Sequence, residues 1–146
     1  MHTAKIKLIL ILLVGVSLVS CSTIHPAGVY SRDFLNDINS VYVVQNKASK
    51  RGIDIYIQKA LAVRGIRASI GPIESKPKNV DAYVTFSDIW RWDMSMYLDK
   101  LDINIYDNHT NELVATGEFD NSWLHSFPDP RKKVFQVIDS IWTKLP

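Results

Sequence analysis

The chain has 146 residues, 47% of them hydrophobic and 22% charged, with 17 Lys and Arg against 15 Asp and Glu. That length predicts one folded domain, and the hydrophobic fraction excludes intrinsic disorder. A single Cys excludes a disulfide framework, a multi-Cys zinc site and a CxxC redox motif, and a formal charge of +2 is too small to argue for nucleic acid.

Lys5 and Lys7 form a short positive region ahead of an apolar run that is unbroken from Leu8 to Val14 and continues to Val19. The run is about fourteen residues, short of the ~20 that a membrane-spanning helix needs. It fits the hydrophobic region of a cleaved signal peptide over residues 1–20. The segment ends in Leu18-Val19-Ser20-Cys21, and the only Cys of the chain stands at that end. This tetrapeptide resembles the lipobox of bacterial lipoproteins. The resemblance implies that the Cys21 thiol accepts a diacylglycerol group. Cleavage after Ser20 then frees an α-amino group that can take a further acyl chain, and two or three chains give stable membrane attachment. In that class the next residue helps sorting, with Asp favouring the inner membrane. Ser22 therefore implies the outer membrane, and the domain is expected at its periplasmic face. Loss of the signal removes two of the 17 basic residues, which leaves them balanced against the 15 acidic ones.

Residues 22–36 mix Pro, Gly, Ser and polar residues; residues 21–38 read as the lipidated Cys with a tether, one that can pack in part through Tyr30, Phe34 and Leu35, and residues 39–146 as the domain. Ser40 to Gln45 is rich in β-branched and aromatic residues and predicts a buried strand. Ile53, Tyr56, Ile57, Ala60 and Leu61 line one face of a helix, and Gly65 suits its left-handed cap. Ile66 to Ile70 alternates as a second strand. Val80 to Trp92 is the longest strand signal, with Ala82, Val84, Phe86, Trp90 and Trp92 on one face. A bend or turn falls near Asp93. Leu101, Ile103 and Ile105 then alternate with polar residues, Asp107 to Asn111 forms a turn, and Leu113 to Phe119 returns as the partner strand. Asp129 as N-cap and Pro130 at the first helical position open a last helix. Its apolar stripe is Val134, Val137, Ile138, Ile141, Trp142 and Leu145. Arg131, Lys132 and Lys133 in its first turn oppose the helix dipole.

The order β-α-β-β-β-α predicts an α+β two-layer sandwich, a mainly antiparallel sheet with two helices on one face. Over residues 40–145 this pattern, with Asp88 to Tyr97 (DIWRWDMSMY) as its most distinctive stretch, resembles small envelope lipoprotein domains. Among these are the N-terminal domain of the Tol-Pal translocation protein and curli-secretion-type lipoproteins. A shared fold does not transfer function.

The search for chemistry narrows quickly. His25, His109 and His125 stand apart, with no metal-ligand spacing and no HExxH, so neither a metal nor a cofactor is expected. Asp88, Asp93, Asp99, Asp102 and Asp107 are dense but build no calcium loop and read as solvated strand ends and turns. There is no GxSxG motif, and Asp120, Ser122 and His125 are too close along one loop for triad geometry. Gly65 to Gly71 lacks the Lys of a phosphate loop. Asp88 and Asp93 are the one carboxylate pair with aromatic company, from Trp90 and Trp92. Trp90, Trp92, Met94 and Met96 share parity. They are either covered by the helices or exposed as a partner or membrane surface, with Arg91, Asp93 and Tyr97 as a polar rim on the opposite face. The candidate interaction patch is therefore Trp90, Arg91, Trp92, Asp93 and Tyr97.

The leading expectation is a lipid-anchored, non-catalytic envelope protein that binds another envelope protein. The alternatives are a small-ligand or glycan-binding module lined by Trp90 or Trp92, and an envelope hydrolase using Asp88 or Asp93. Replacing Cys21 by Ala is expected to move the protein from the membrane to the soluble fraction of fractionated cells. An unchanged membrane fraction would reject the anchor.

Overall fold

In the computed structural model, which describes residues 23–121 and 127–143, the described strands form one six-stranded mixed sheet. The signal segment, Cys21, Ser22, Ser122, His125 and Leu145 lie outside the described residues. The strands are β1 (Thr23–Val29), β2 (Ser40–Val44), β3 (Arg67–Gly71), β4 (Ala82–Asp93), β5 (Ser95–Asp107) and β6 (Leu113–Asp120). The helices are α1 (Arg32–Asp37), α2 (Ile53–Val63) and α3 (Pro130–Thr143), with a short 3-10 turn at Ile73–Ser75. The sheet order is β1-β6-β5-β4-β2-β3. β2 runs parallel to β3 and β4, and the other neighbours are antiparallel. The result is the expected two-layer α+β arrangement.

One sheet face carries the core. Ala82, Val84 and Phe86 of β4 join Leu101, Ile103 and Ile105 of β5 and Ala115 and Phe119 of β6. Ile53, Ile57, Ala60 and Leu61 of α2 and Val134, Val137, Ile138 and Ile141 of α3 cover them. Removing that much apolar surface from water is the main stabilising term. Gly117 lets α3 close on the sheet, because a Cβ there would lie 2.9 Å from Val137 Cγ1 and 3.1 Å from Ile141 Cγ1. Gly65 takes φ +80° after α2, and the Ile66 amide donates to the Leu61 carbonyl, closing that helix as its sequence predicts. Asp129 Oδ1 accepts from the Arg131 amide at 2.9 Å, the expected cap of α3.

The apolar parity of β5 changes between Leu98 and Leu101. The register explains it: Ile89 faces Lys100 while Trp90 faces Leu98, so Asp99 is an extra residue in β5. This bulge keeps Leu98 and Leu101 on the same core face.

The tether reading needs correction. From Thr23 the chain is already in the sheet, because β1 pairs with the open edge of β6, and α1 buries Leu35. The folded part thus begins at Thr23, not at residue 39. Pro26 and Gly28 read as loop residues, yet an edge strand tolerates both, and the register slips between His25 and Gly28. α1 is also a brace for α3: Arg32 Nη1 donates to the Ile141 and Trp142 carbonyls at 3.1 and 3.2 Å. A cation there complements the C-terminal end of the helix dipole.

Two polar knots hold the end of the sheet away from the β4–β5 turn. Asn108, buried in the β5–β6 turn, accepts from Lys76 and donates to the carbonyls of Lys78 and Val80. Asp81 Oδ2 accepts from the Asn39 amide, the Ser40 amide and the Ser40 hydroxyl at 2.8–2.9 Å, tying the starts of β2 and β4 together. The Asn39 amide is the main cause of a folded-state pKa for Asp81 below the ordinary carboxylate value. A lowered folded pKa means that ionised Asp81 stabilises the fold above the carboxylate range and loses that contribution as pH falls through it. Asp81→Asn is expected to cost on the order of 1–2 kcal/mol at neutral pH in urea unfolding. The gap between variant and wild type should close toward about pH 3.

Candidate functional site

β2 pairs with β4 only through Ala82 to Val84, and β6 pairs with β5 only from Lys100 onward. Beyond those levels β4 and β5 continue as a hairpin, paired with each other to Asp93 and Ser95. Among the described residues no other strand pairs with its tip. Met94 turns the hairpin at φ 55°.

The tip is apolar and open. Trp92 is 70% exposed, Met94 89% and Met96 36%. Trp92 and Met96 are cross-strand partners, so they share one face. On the opposite face Arg91 Nε donates to Asp99 Oδ2 at 2.6 Å. Asp93 is exposed beside the turn.

Two of the five candidate patch residues are not on this surface. Tyr97 is only 3% exposed and meets Phe127 edge-on, with ring centroids 5.7 Å apart, so it is no part of a polar rim. Trp90 is half-buried: its indole N–H donates to Asp88 Oδ2, and the Arg51 guanidinium lies 4.8 Å over its ring. Trp92, Arg91 and Asp93 remain exposed. Ile89 is also exposed, at 48%, but on the face opposite Trp92 and Met96 and about 16 Å below the turn, so it is no part of the tip surface.

The carboxylates separate in the same way. Asp88 Oδ2 also accepts from Ser49 Oγ at 3.0 Å, while its buried Oδ1 has no hydrogen-bond partner among the described residues. Asp93 lies five residues along the same strand with opposite parity, so the two do not converge on one cleft. Asp102 accepts from Ser87 Oγ, and Asp107 accepts from the His109 amide within its own turn. Asp120 takes Lys100 at 2.7 Å and His25 at 3.0 Å, and its pKa is lowered chiefly by Lys100. The Asp102 and Asp120 pairs line the sheet face opposite the helices, since their parity is opposite to that of buried Leu101 and Phe119.

The first turn of α3 lies at the hairpin end of the sheet, since Lys133 Nζ sits 4.9 Å over the Phe119 ring. Burial pushes the Lys133 pKa down, with Lys132 adding to the effect. The β2–α2 loop, carrying Lys47, Lys50 and Arg51, approaches the same end through Asn46, which donates to the Phe86 carbonyl. Among the described residues no helix is long and apolar enough to cross a membrane.

No family model matches the chain, and no curated protein does. Solved structures do. A PelC dodecamer from Paraburkholderia phytofirmans superposes with a TM-score of 0.58 at 12% identity, over 83% of this chain and 98% of that one. A single-residue variant of the same protein gives 0.54 at 13% identity, over 81% and 93%. At these identities the likeness is one of fold.

The exposure of Trp92 sets it apart from its neighbours in stability. Trp92→Ala is expected to change unfolding free energy by less than about 0.5 kcal/mol. Leu98→Ala, at a fully buried position on the same face, should cost about 2–5 kcal/mol. A large loss from Trp92→Ala in thermal or urea unfolding would mean that the ring is buried.

Proposed function

We propose that the protein is a lipid-anchored, non-catalytic lipoprotein of the outer membrane, at its periplasmic face, that engages another envelope component through the end of the β4–β5 hairpin. The observation that carries this reading is the exposure of Trp92, Met94 and Met96 together on a hairpin that outruns the sheet. Contiguous aromatic and Met-rich surface of this kind marks interaction sites. Arg91 and Asp93 supply its polar rim. Attachment runs through the diacylglycerol and N-acyl groups on Cys21.

The fold likeness to PelC, whose structures are titled as dodecamers, supports a second reading in which copies of this chain assemble with one another. β1 and β3 are the edges of the described sheet and offer backbone pairing for such contacts. This leaves the hairpin end free for its own occupant, so both readings can hold together.

Photo-crosslinking in living cells, with the probe placed in turn at Trp92 and Met94, tests the docking reading. Both positions are expected to give an adduct, with an envelope protein or with membrane lipid, and a probe at buried Tyr97 none beyond the chain itself. No adduct from either position in folded, membrane-bound protein would overturn it. Native mass spectrometry of the detergent-extracted protein tests self-assembly: a closed oligomer is expected, and a monomer at all concentrations would reject it.

A further inference from the structure

The apolar tip and the chain entering from Cys21 lie at the same end of the sheet. The register puts Ile89, Lys100, Asp120 and Thr23 on one level across β4, β5, β6 and β1. β1 runs away from that level, so Thr23 is its terminus nearest the hairpin tip. Chain geometry keeps Cys21 within about 7 Å of Thr23. Met94 stands five residues beyond Ile89, about 16 Å further along the strands. Sideways, β5 is two strands from β1, about 10 Å.

We infer that the tip of the β4–β5 hairpin seats in the headgroup and upper acyl region of the same membrane leaflet that holds Cys21. The inference rests on the lipid-anchored reading and names the occupant of its docking surface: the bilayer. With the strands upright the tip reaches at least about 9 Å past the anchor residue, and a tilt brings it into the ~5–10 Å that interfacial elements occupy. The side chains match that depth. Trp92 and Met96 share the apolar face, Met94 leads at the turn, and Trp sits well where one edge of the ring is wet. Arg91, Asp93 and Ser95 lie on the opposite face, which stays among the headgroups.

The charges behind the tip give independent support. Arg131, Lys132 and Lys133 crowd the N-terminal turn of α3, where cations oppose the helix dipole unless an anion faces them. Lys47, Lys50 and Arg51 lie in the loop at the same end. Three acidic side chains of that end are already engaged: Asp99 by Arg91, Asp120 by Lys100, and Glu74 by Lys47. Asp129 caps the α3 terminus through the Arg131 and Lys132 amides, and lipid phosphates at this depth add further anions facing the exposed side chains of Arg131, Lys132, Lys50 and Arg51.

The test uses the mature, lipidated full chain in vesicles of phosphatidylethanolamine and phosphatidylglycerol. Met94→Cys carries a bimane label, and it is the only free thiol because Cys21 is acylated. Val63→Cys, 77% exposed at the far end of α2, is the control. Met94 bimane is expected to shift to the blue and to be quenched roughly twofold by lipid with a nitroxide high on its acyl chain, with the Val63 label unmoved. Met96→Cys repeats the measurement should the turn variant fail to fold. Mass spectrometry of the same samples counts acyl chains on Cys21, so an unacylated protein rejects the lipoprotein reading and not the tip. An acylated protein whose labels stay water-like overturns the inference. A blue shift that needs no vesicles and grows with protein concentration also overturns it, assigning the tip to a second copy of the chain.

Discussion

Helices and strands advance at different rates, and this mismatch governs what the molecule can cover. A helix rises about 1.5 Å per residue and a strand about 3.3 Å. α2 has 11 residues and α3 has 14, so each spans roughly 16–21 Å, the length of five or six strand residues. β4 and β5 have 12 and 13 residues, about 40 Å each. The helices therefore cover about half of the central hairpin, and β2 and β3, with five residues each, pair along still less of it. The remainder must meet solvent, lipid or another molecule.

The boundary between covered and open halves is marked by chemistry. Below it, Leu101, Ile103, Ile105, Val84 and Ala82 are fully buried. At it, Asp99 forms the bulge, pairs with Arg91, and keeps Leu98 on the core face. Trp90 occupies the same level, with its N–H on Asp88 and Arg51 over its ring. Above it, Trp92, Met94 and Met96 have no core to enter. The polar contacts at the boundary fix the hairpin's base, so the tip is presented by an ordered platform.

Most of the sheet was legible in the sequence because its signals are local. Alternation in Val80 to Trp92, the Asp129-Pro130 start of α3 and Gly65 after α2 each act within a few residues of themselves. β1 and α1 were not legible: their order comes from the edge of β6 and from the packing of Leu35 and Trp142, partners about a hundred residues away. Tyr97 escaped for the same reason, since Phe127 is what meets it. At the candidate site, parity identified Trp92 and Met96 as one face. It could not say whether the helices reach that far, because coverage depends on helix length against strand length. One signal was present and unused: Asp88 and Asp93 differ in parity on a single strand, which already points their side chains to opposite faces.

The placement of β1 has a mechanical consequence. Any pull transmitted through the chain upstream of Thr23 acts along the axis of β1, at the end where that strand begins. The hydrogen bonds to β6 lie across that axis, so the load falls on several of them together and not on one at a time. A load-bearing strand at the margin of the sheet thus resists extraction by sliding, while α3 packs against β1 and Ile24 and Val29 join the core on its covered side.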